Sequence, residues 1–383
     1  MPHKHLSKHA LLKQLDNDKI NTTAKHTQKP KIAISVGDTN GVGLEIILKS
    51  HSYIASICEP IYCAHKNLFE KALLYLQDFT QKHSQHHQNH HLHNSHLDSV
   101  WIEKMRENIK SMRFYPPQNA RSPKIAPSSI NKASGRYSFA SFMCGLDLVD
   151  SGRASAIVTL PIHKAAWKKA RIHHTGHTQV LRTRYKKDAI MMLGCEEMFV
   201  ALFSEHIPLK SVSSTISTDK YVQFLIALYR SFTFDEALVL GFNPHCGDDG
   251  AIGGKEDNKI ESARKKVNKF LKKNVFSGIV PPDSAFTPLN REKFKLFVAP
   301  YHDIGLSTLK ALYFEKSINV SLNLPIIRTS VDHGVAYDIA YKSLASTQSY
   351  QNAVLFAIKM LQERHKIEKN ILNTSMRAQT PRH

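Results

Sequence analysis

The chain is expected to fold as an α/β protein on a largely parallel or mixed sheet, and three observations carry that expectation. β-Branched, apolar runs of strand length recur through its 383 residues, segments of helical spacing separate several of them, and glycine-bearing turns punctuate the changes. Strands that read as nearly continuous apolar runs are covered on both faces, and intervening helices provide that cover.

The elements follow in order. Residues 1–30 are polar, carry six Lys against two Asp, end at Pro30 and read as a basic tail. "KIAISVG" (31–37) is the first strand, "DTNGVG" breaks it, and "LEIILKS" (44–50) resumes at helical spacing. Further strands are expected at "ASAIVTL" (154–160), "MFVALFS" (198–204), "ALVLGFN" (237–243), "LFVAPYH" (296–302) and "INVSLNL" (318–324). Helices are expected at "TDKYVQFLIALYRSF" (218–232), "NKIESARKKVNKFLKK" (258–273) and "SYQNAVLFAIKMLQERHK" (349–366). Within residues 80–100, the run "HSQHHQNHHLHNSH" (83–96) holds seven histidines in fourteen residues, with Leu92 its one apolar residue. With no hydrophobic period to offset the entropy of ordering, this tract is expected to be a mobile surface loop.

Composition narrows the function. A hydrophobic content of 42% suffices to fill real cores. No apolar run approaches the roughly 18–20 residues of a membrane span, and the N-terminus lacks the apolar core of a signal peptide, so a cytoplasmic protein without a membrane partner is expected. Five cysteines, scattered without a C-x-x-C, suit reduced thiols. The formal charge of +20 raises the question of nucleic acid. The two ends are basic and the rest of the charge is spread without aromatic interleaving, so no dedicated nucleic-acid partner is expected; an enzyme that handles anions accommodates the same charge.

In open α/β sheets, ligands gather beyond the carboxyl ends of strands. Three histidines, His206, His245 and His302, each stand where an apolar run gives way to a polar or glycine-containing loop. A single such histidine is usually satisfied locally; three neutral imidazoles together could hold Zn²⁺ or a similar ion with positions left open for substrate. Similar ends offer "GHTQ" (176–179), Asp283, and "PIIRTSVDHG" with Arg328, Asp332 and His333. "GDTNGVG" (37–43) could present N–H groups to a phosphate or serve as a plain tight turn; it lacks the G-x-G-x-x-G spacing and the distal acid of a dinucleotide fingerprint.

Eight segments in order, "AISVGDTNGVGLEI", "ASAIVTLPIHKAAW", "HHTGHTQVL", "MMLGCEEMFVALFSEHIPLK", "VLGFNPHCGDDGAIGGKED", "GIVPPDSAF", "YHDIGLSTLK" and "INVSLNLPIIRTSVDHGVAYDIA", span about residues 31–362. Together they resemble the 4-hydroxythreonine-4-phosphate dehydrogenases of pyridoxal 5'-phosphate biosynthesis. The resemblance implies two α/β/α domains with a cleft between them, a fold similar to the isocitrate and isopropylmalate dehydrogenases and not a Rossmann fold. It places residues 31–155 with 310–364 on the cofactor side, 156–309 in a substrate, metal and dimerisation domain, and 365–383 in a basic C-terminal tail.

The resemblance also implies roles. His206, His245 and His302 match the ligands of one divalent metal (zinc, magnesium or cobalt), in a site completed between the subunits of a homodimer. His177, Thr178, Lys310, Asn319 and Arg328 match substrate-binding positions; His333, Gly334, Ala336 and Asp338 match the cofactor loop for NAD, with NADP as the alternative. The catalytic base is expected at Asp283 or Lys164. The implied reaction oxidises 4-(phosphooxy)-L-threonine to a 2-amino-3-oxo acid that decarboxylates to 3-amino-2-oxopropyl phosphate. The chain departs from the family pattern at Gln179, Ile304 and Val335, and at Tyr341 and Ser343, which replace glycines. A related dehydrogenase of threonate or erythronate 4-phosphate is the alternative, and a non-enzymatic nucleic-acid or metal-binding protein the distant one.

Overall fold

Why the chain makes one long sheet is clearest from its alternation. In the computed structural model, which describes residues 29–86 and 95–378, strand β1 (Lys31–Ser35) is apolar at every position but its ends and is buried on both sides. β2 (Glu59–Tyr62), β3 (Arg113–Phe114), β4 (Ala156–Thr159), β5 (Ile190–Cys195), β6 (Met198–Leu202), β7 (Ala237–Leu240), β8 (Phe276–Val280), β9 (Leu296–Ala299), β10 (Ile318–Leu322) and β11 (Arg328–Val331) complete it. The eleven strands lie in the order β3-β2-β1-β4-β11-β10-β5-β6-β9-β7-β8. Pairing is antiparallel at β11·β10, β10·β5 and β5·β6 and parallel elsewhere, so the sheet is mixed, as expected.

The helices are α1 (Gly43–Ile57), α2 (Lys66–His86), α3 (Ser95–Ser111), α4 (Lys132–Asp150), α5 (Lys164–Lys169), α6 (His177–Tyr185), α7 (Leu209–Thr215), α8 (Thr218–Ser231), α9 (Glu256–Leu271), α10 (Pro282–Ala285), α11 (Pro288–Lys293), α12 (His302–Tyr313) and α13 (Gln348–Ala378). The expected helices at 218–232, 258–273 and 349–366 correspond to α8, α9 and α13, the last running on through Ala378. Of the histidine tract, residues 87–94 lie outside the described residues, as do 1–28 and 379–383; α2 runs to His86 and α3 starts at Ser95. No helix among the described residues is long and apolar enough to cross a membrane.

Side chains alternate across a strand, so each face can be followed from strand to strand. One face is apolar on nearly every strand: Ile32, Ile34, Ala156, Val158, Val320, Met192, Ala201, Val298 and Val239 belong to a single buried cluster, and Thr329 of β11, between Val158 and Val320, donates to the Ala353 carbonyl. On the other face, Ala33, Ile61 and Ile157 pack in a second cluster under α4 and α5, and Met191, Leu193, Val200, Leu202, Leu238 and Phe297 in a third. Between the second and third clusters, the same face turns polar. Two α/β/α regions thus share a sheet, and the gap between their outer layers falls on its middle strands.

Candidate active site

The polar gap is a product of register. Arg328 on β11 stands opposite Ile157 on β4 and Ser321 on β10, while Ser330 stands opposite Thr159 and Asn319. Those pairings put Thr159, Arg328, Ser330, Ser321 and Asn319 on one face, and Met191 of β5, opposite Ser321, continues it. All but Ser321, which lies beneath as a partner of Arg328, form the floor of a cleft of about 1450 Å³ whose walls include Lys164, His177, Thr178, Gln179, Arg182, Glu205, His206, Lys220, Asp332, His333 and Gly334.

Arg328 is 2% exposed, yet its side chain meets neutral groups: Nη1 donates to Ser321 Oγ (3.0 Å), and Nη2 to Thr159 Oγ1 (2.8 Å) and towards His177 Nδ1 (3.2 Å). Burial pushes the guanidinium down to about 9, which leaves it cationic at neutral pH. Burial, with Arg328 alongside, pushes His177 well below its ordinary value, so the imidazole is neutral. Phe142 and Trp167 hold its ring edge-on at 4.4 and 5.7 Å. Arg328 Nε, His177 Nε2 and Asn319 Oδ1 are buried without hydrogen-bond partners among the described residues. A buried cation with only neutral neighbours, beside groups with unused bonding capacity, is costly unless an anion joins it.

Of the other expected substrate residues, Thr178 lies in the wall at the start of α6, in the turn after His177. Gln179, where the family pattern has an acid, accepts from the Thr175 N–H at 2.5 Å and closes the turn that leads into α6. Lys310 stands behind the wall: its ammonium meets Asp332 Oδ2 at 2.5 Å and the Asp332 carbonyl at 2.7 Å, and Ser317 Oγ donates to the same carboxylate at 2.6 Å.

The expected cofactor residues divide. His333 and Gly334 line the cleft; His333 Nε2 is buried without a partner, and a Cβ added at Gly334 would meet nothing within 4 Å. Ala336 and Asp338 fall outside the lining, Ala336 in a left-handed conformation (φ 45) and Asp338 exposed. The pair His333 and Gly334 therefore fits an approaching cofactor, with a free ring nitrogen next to open backbone. The glycine turn 37–43 is a tight turn and not a phosphate cradle. Every residue in it is buried. Its N–H groups are spent on Pro161 O, Asp38 and Val335 O, and a Cβ at Gly41 would come within 2.5 Å of Val335 O. Its glycines serve close packing, Gly37 against Leu160 and Pro161, Gly41 against Val335 and Gly43 against Val36.

The metal expectation meets a divided geometry. His206, at the end of β6, and His302, at the start of α12, face each other with ring centroids 5.5 Å apart. Burial first, then the charges of Lys164, His302 and Arg182, lowers the proton affinity of His206. His302 Nδ1 bonds Asp303 Oδ1 at 2.7 Å. His245 does not join them: it is exposed in a 3-10 turn (Pro244–Gly250) whose residues 245–249 all have positive φ. Among the described residues no group of three or more His, Cys, Asp or Glu side chains is placed to hold a metal ion. Two of the three imidazoles fit the expected ligand set; the third does not complete it within one chain. Of the expected bases, Lys164 lines the cleft, whereas Asp283 is exposed on α10 outside the lining.

Thr159, Arg182, Glu205 and Lys220 escaped the sequence reading. Thr159 ends an anticipated strand and was open to the strand-end rule; the others reach the cleft from a helix face or a loop, where the sequence carries no signal. Burial pushes the Glu205 carboxyl up against the opposing pull of Arg182.

Fold and floor together define a class: an α/β protein with a cationic cleft between two layered regions, built to take a small anionic ligand. A family model described as "Pyridoxal phosphate biosynthetic protein PdxA" matches residues 56–357. The 4-hydroxythreonine-4-phosphate dehydrogenase of Campylobacter fetus is 47% identical over 331 residues, covering 86% of this chain and 98% of that one. The corresponding Helicobacter pylori (strain J99) protein is 44% identical over 332 residues, 86% of this chain and 99% of its own. The crystal structure of a 4-hydroxythreonine-4-phosphate dehydrogenase from Klebsiella pneumoniae shares the fold, with a TM-score of 0.66, 24% identity and coverage of 88% and 100%. The chain belongs to the PdxA family of pyridoxal phosphate biosynthetic proteins.

Proposed function

We propose that the cleft carries out the NAD-dependent oxidation of 4-(phosphooxy)-L-threonine to 2-amino-3-oxo-4-(phosphooxy)butanoate, which decarboxylates to 3-amino-2-oxopropyl phosphate. Beside family membership, the observation that carries this reading is Arg328, a buried cation with neutral partners in the cleft floor. An anionic substrate group supplies the missing counter-charge there, and the two-pronged guanidinium suits a phosphate or carboxylate. Neutral His177 and Thr178 add hydrogen bonds from the α6 turn, and Asn319 Oδ1 offers an acceptor to the amino group. Lys310, tied to Asp332, holds the wall that leads into His333 and Gly334.

Lys164 is assigned the alcohol proton, since it lines the cleft while Asp283 does not. His333 and Gly334 would hold NAD, which would supply the hydride acceptor. His206 and His302 would hold a divalent metal, which supplies Lewis acidity to the alcohol and then to the ketone. With Asp303 accepting from Nδ1–H, His302 keeps its Nε2 lone pair for that ion. His245 would complete the set, in a homodimer whose active sites lie at the subunit interface.

The test compares 4-(phosphooxy)-L-threonine with threonate 4-phosphate on purified protein, with NAD and then NADP, followed by the absorbance of the reduced cofactor. Turnover of the amino acid phosphate is expected. Turnover of the sugar-acid phosphate alone would overturn the substrate assignment.

A further inference from the structure

A side chain outside the expected set joins two parts of the cleft that the chain keeps 23 residues apart. Arg182 lies on α6, the helix that begins with His177 and Thr178. Its Nη2 donates to Glu205 Oε1 at 2.8 Å and to the Ala189 carbonyl at 2.8 Å, and its Nε lies 3.5 Å from Asp188 Oδ1. Glu205 directly precedes His206 at the end of β6, and its side chain is 8% exposed. A buried carboxylate needs a counter-charge, and among the described residues Arg182 is the one paired with it. Both residues line the cleft, next to His177, Thr178 and His206.

We infer that Arg182 is a positioning residue for the dehydrogenase reaction: through Glu205 it sets the spacing between the substrate-binding turn of α6 and His206. This rests on the proposed substrate. Helix α6 is short and touches the sheet through Val180 and Leu181, so apolar packing alone leaves its approach to the β6 end loosely determined. The ion pair, branching to Ala189 O just before β5, ties helix, β5 and β6 at one point. Small misplacement of a bound substrate against a reacting group is costly in rate.

The test uses full-length Arg182→Met, which keeps the volume and removes the charge, and Arg182→Lys, which keeps the charge and loses the branched geometry. In R182M the KM for 4-(phosphooxy)-L-threonine is expected to rise about 10-fold and kcat to fall about 10-fold, with the KM for NAD within about twofold. R182K is expected to recover part of both losses. Unchanged substrate KM and kcat in R182M would overturn the inference, as would equal losses towards NAD, which indicate general loosening. Amide hydrogen exchange supplies a second readout: protection is expected to fall in R182M in both 176–181 and 203–207, and unchanged exchange in either segment overturns the coupling. That readout needs no substrate. It decides the coupling even where the wild type turns over neither phosphorylated acid, an outcome that removes only the functional reading.

Discussion

The floor of the cleft and two loops outside its lining are built on opposite terms. The floor consists of strand residues in extended conformation, locked by cross-strand pairing, and its unfavourable feature is electrostatic: Arg328 is buried among neutral partners. The loops are the 245–249 turn and the 336–343 segment, and their unfavourable feature is conformational, since His245, Cys246, Asp248, Asp249, Ala336, Tyr341 and Ser343 all have left-handed φ. Each such non-glycine residue costs on the order of 1 kcal/mol or more. The difference teaches that the floor is preformed by strand pairing, whereas the strained 245–249 turn holds His245 apart from His206 and His302 of the same chain.

The comparison is broken most directly at Arg328. Arg328→Met is expected to raise the KM for the phosphorylated substrate about 100-fold or more while the thermal midpoint holds or rises, because the cation has no internal counter-charge to lose. A large fall in the midpoint would show that the arginine serves the fold. In the 245–249 turn, His245→Ala is expected to abolish metal-dependent turnover with the midpoint retained. Full activity in that variant would remove His245 from the ligand set.

Two positions of the 336–343 segment with the same backbone strain are expected to respond in opposite directions. Tyr341 is 3% exposed and donates to the Thr39 carbonyl, so Tyr341→Gly is expected to cost about 3 kcal/mol in urea unfolding despite the relief of its φ of 59. Ser343 has a φ of 61 and a buried hydroxyl without a partner, so Ser343→Gly is expected to gain about 0.5–1 kcal/mol. A loss at Ser343 would show that the left-handed turn is not strained.

The smallest effect concerns pH. His51, His177 and His333 are all lowered, with burial the first cause. The unfolded chain protonates them near their ordinary value of about 6.5, while the folded chain resists. Their contribution to stability is therefore complete above that value and lost as pH falls towards the folded values. The urea midpoint is expected to decline between pH 7 and pH 5, and His177→Asn to flatten the decline. An unchanged slope would place the pH sensitivity away from the cleft.

Legibility followed physical regularity. β1, β6, β7 and β9 were readable because they are apolar on both faces, β4 and β10 because apolar residues dominate them although Thr159, Asn319 and Ser321 turn to the cleft, and α8, α9 and α13 because their apolar period is long. The two-residue β3 is too short to show a period, and β11, "RTSV", turns Arg328 and Ser330 to the cleft floor and Thr329 to the Ala353 carbonyl of α13. That polarity hid the strand and marked the site. Ile304, a departure from the family pattern, packs against the apolar cluster of the second region, and Val335 packs on Gly41. Both substitutions are absorbed by contacts that only the folded chain creates.

By itself, the sequence determined the α/β class, the family resemblance and the residue types gathered at strand ends, because periodicity and motif are local properties of the chain. Tertiary structure alone decided that Arg328 faces Thr159, Ser321 and His177, that Arg182 reaches Glu205, and that His206 meets His302 without His245. Register and crossover connections bring those groups together across up to 169 residues of sequence, and no local pattern records such a distance.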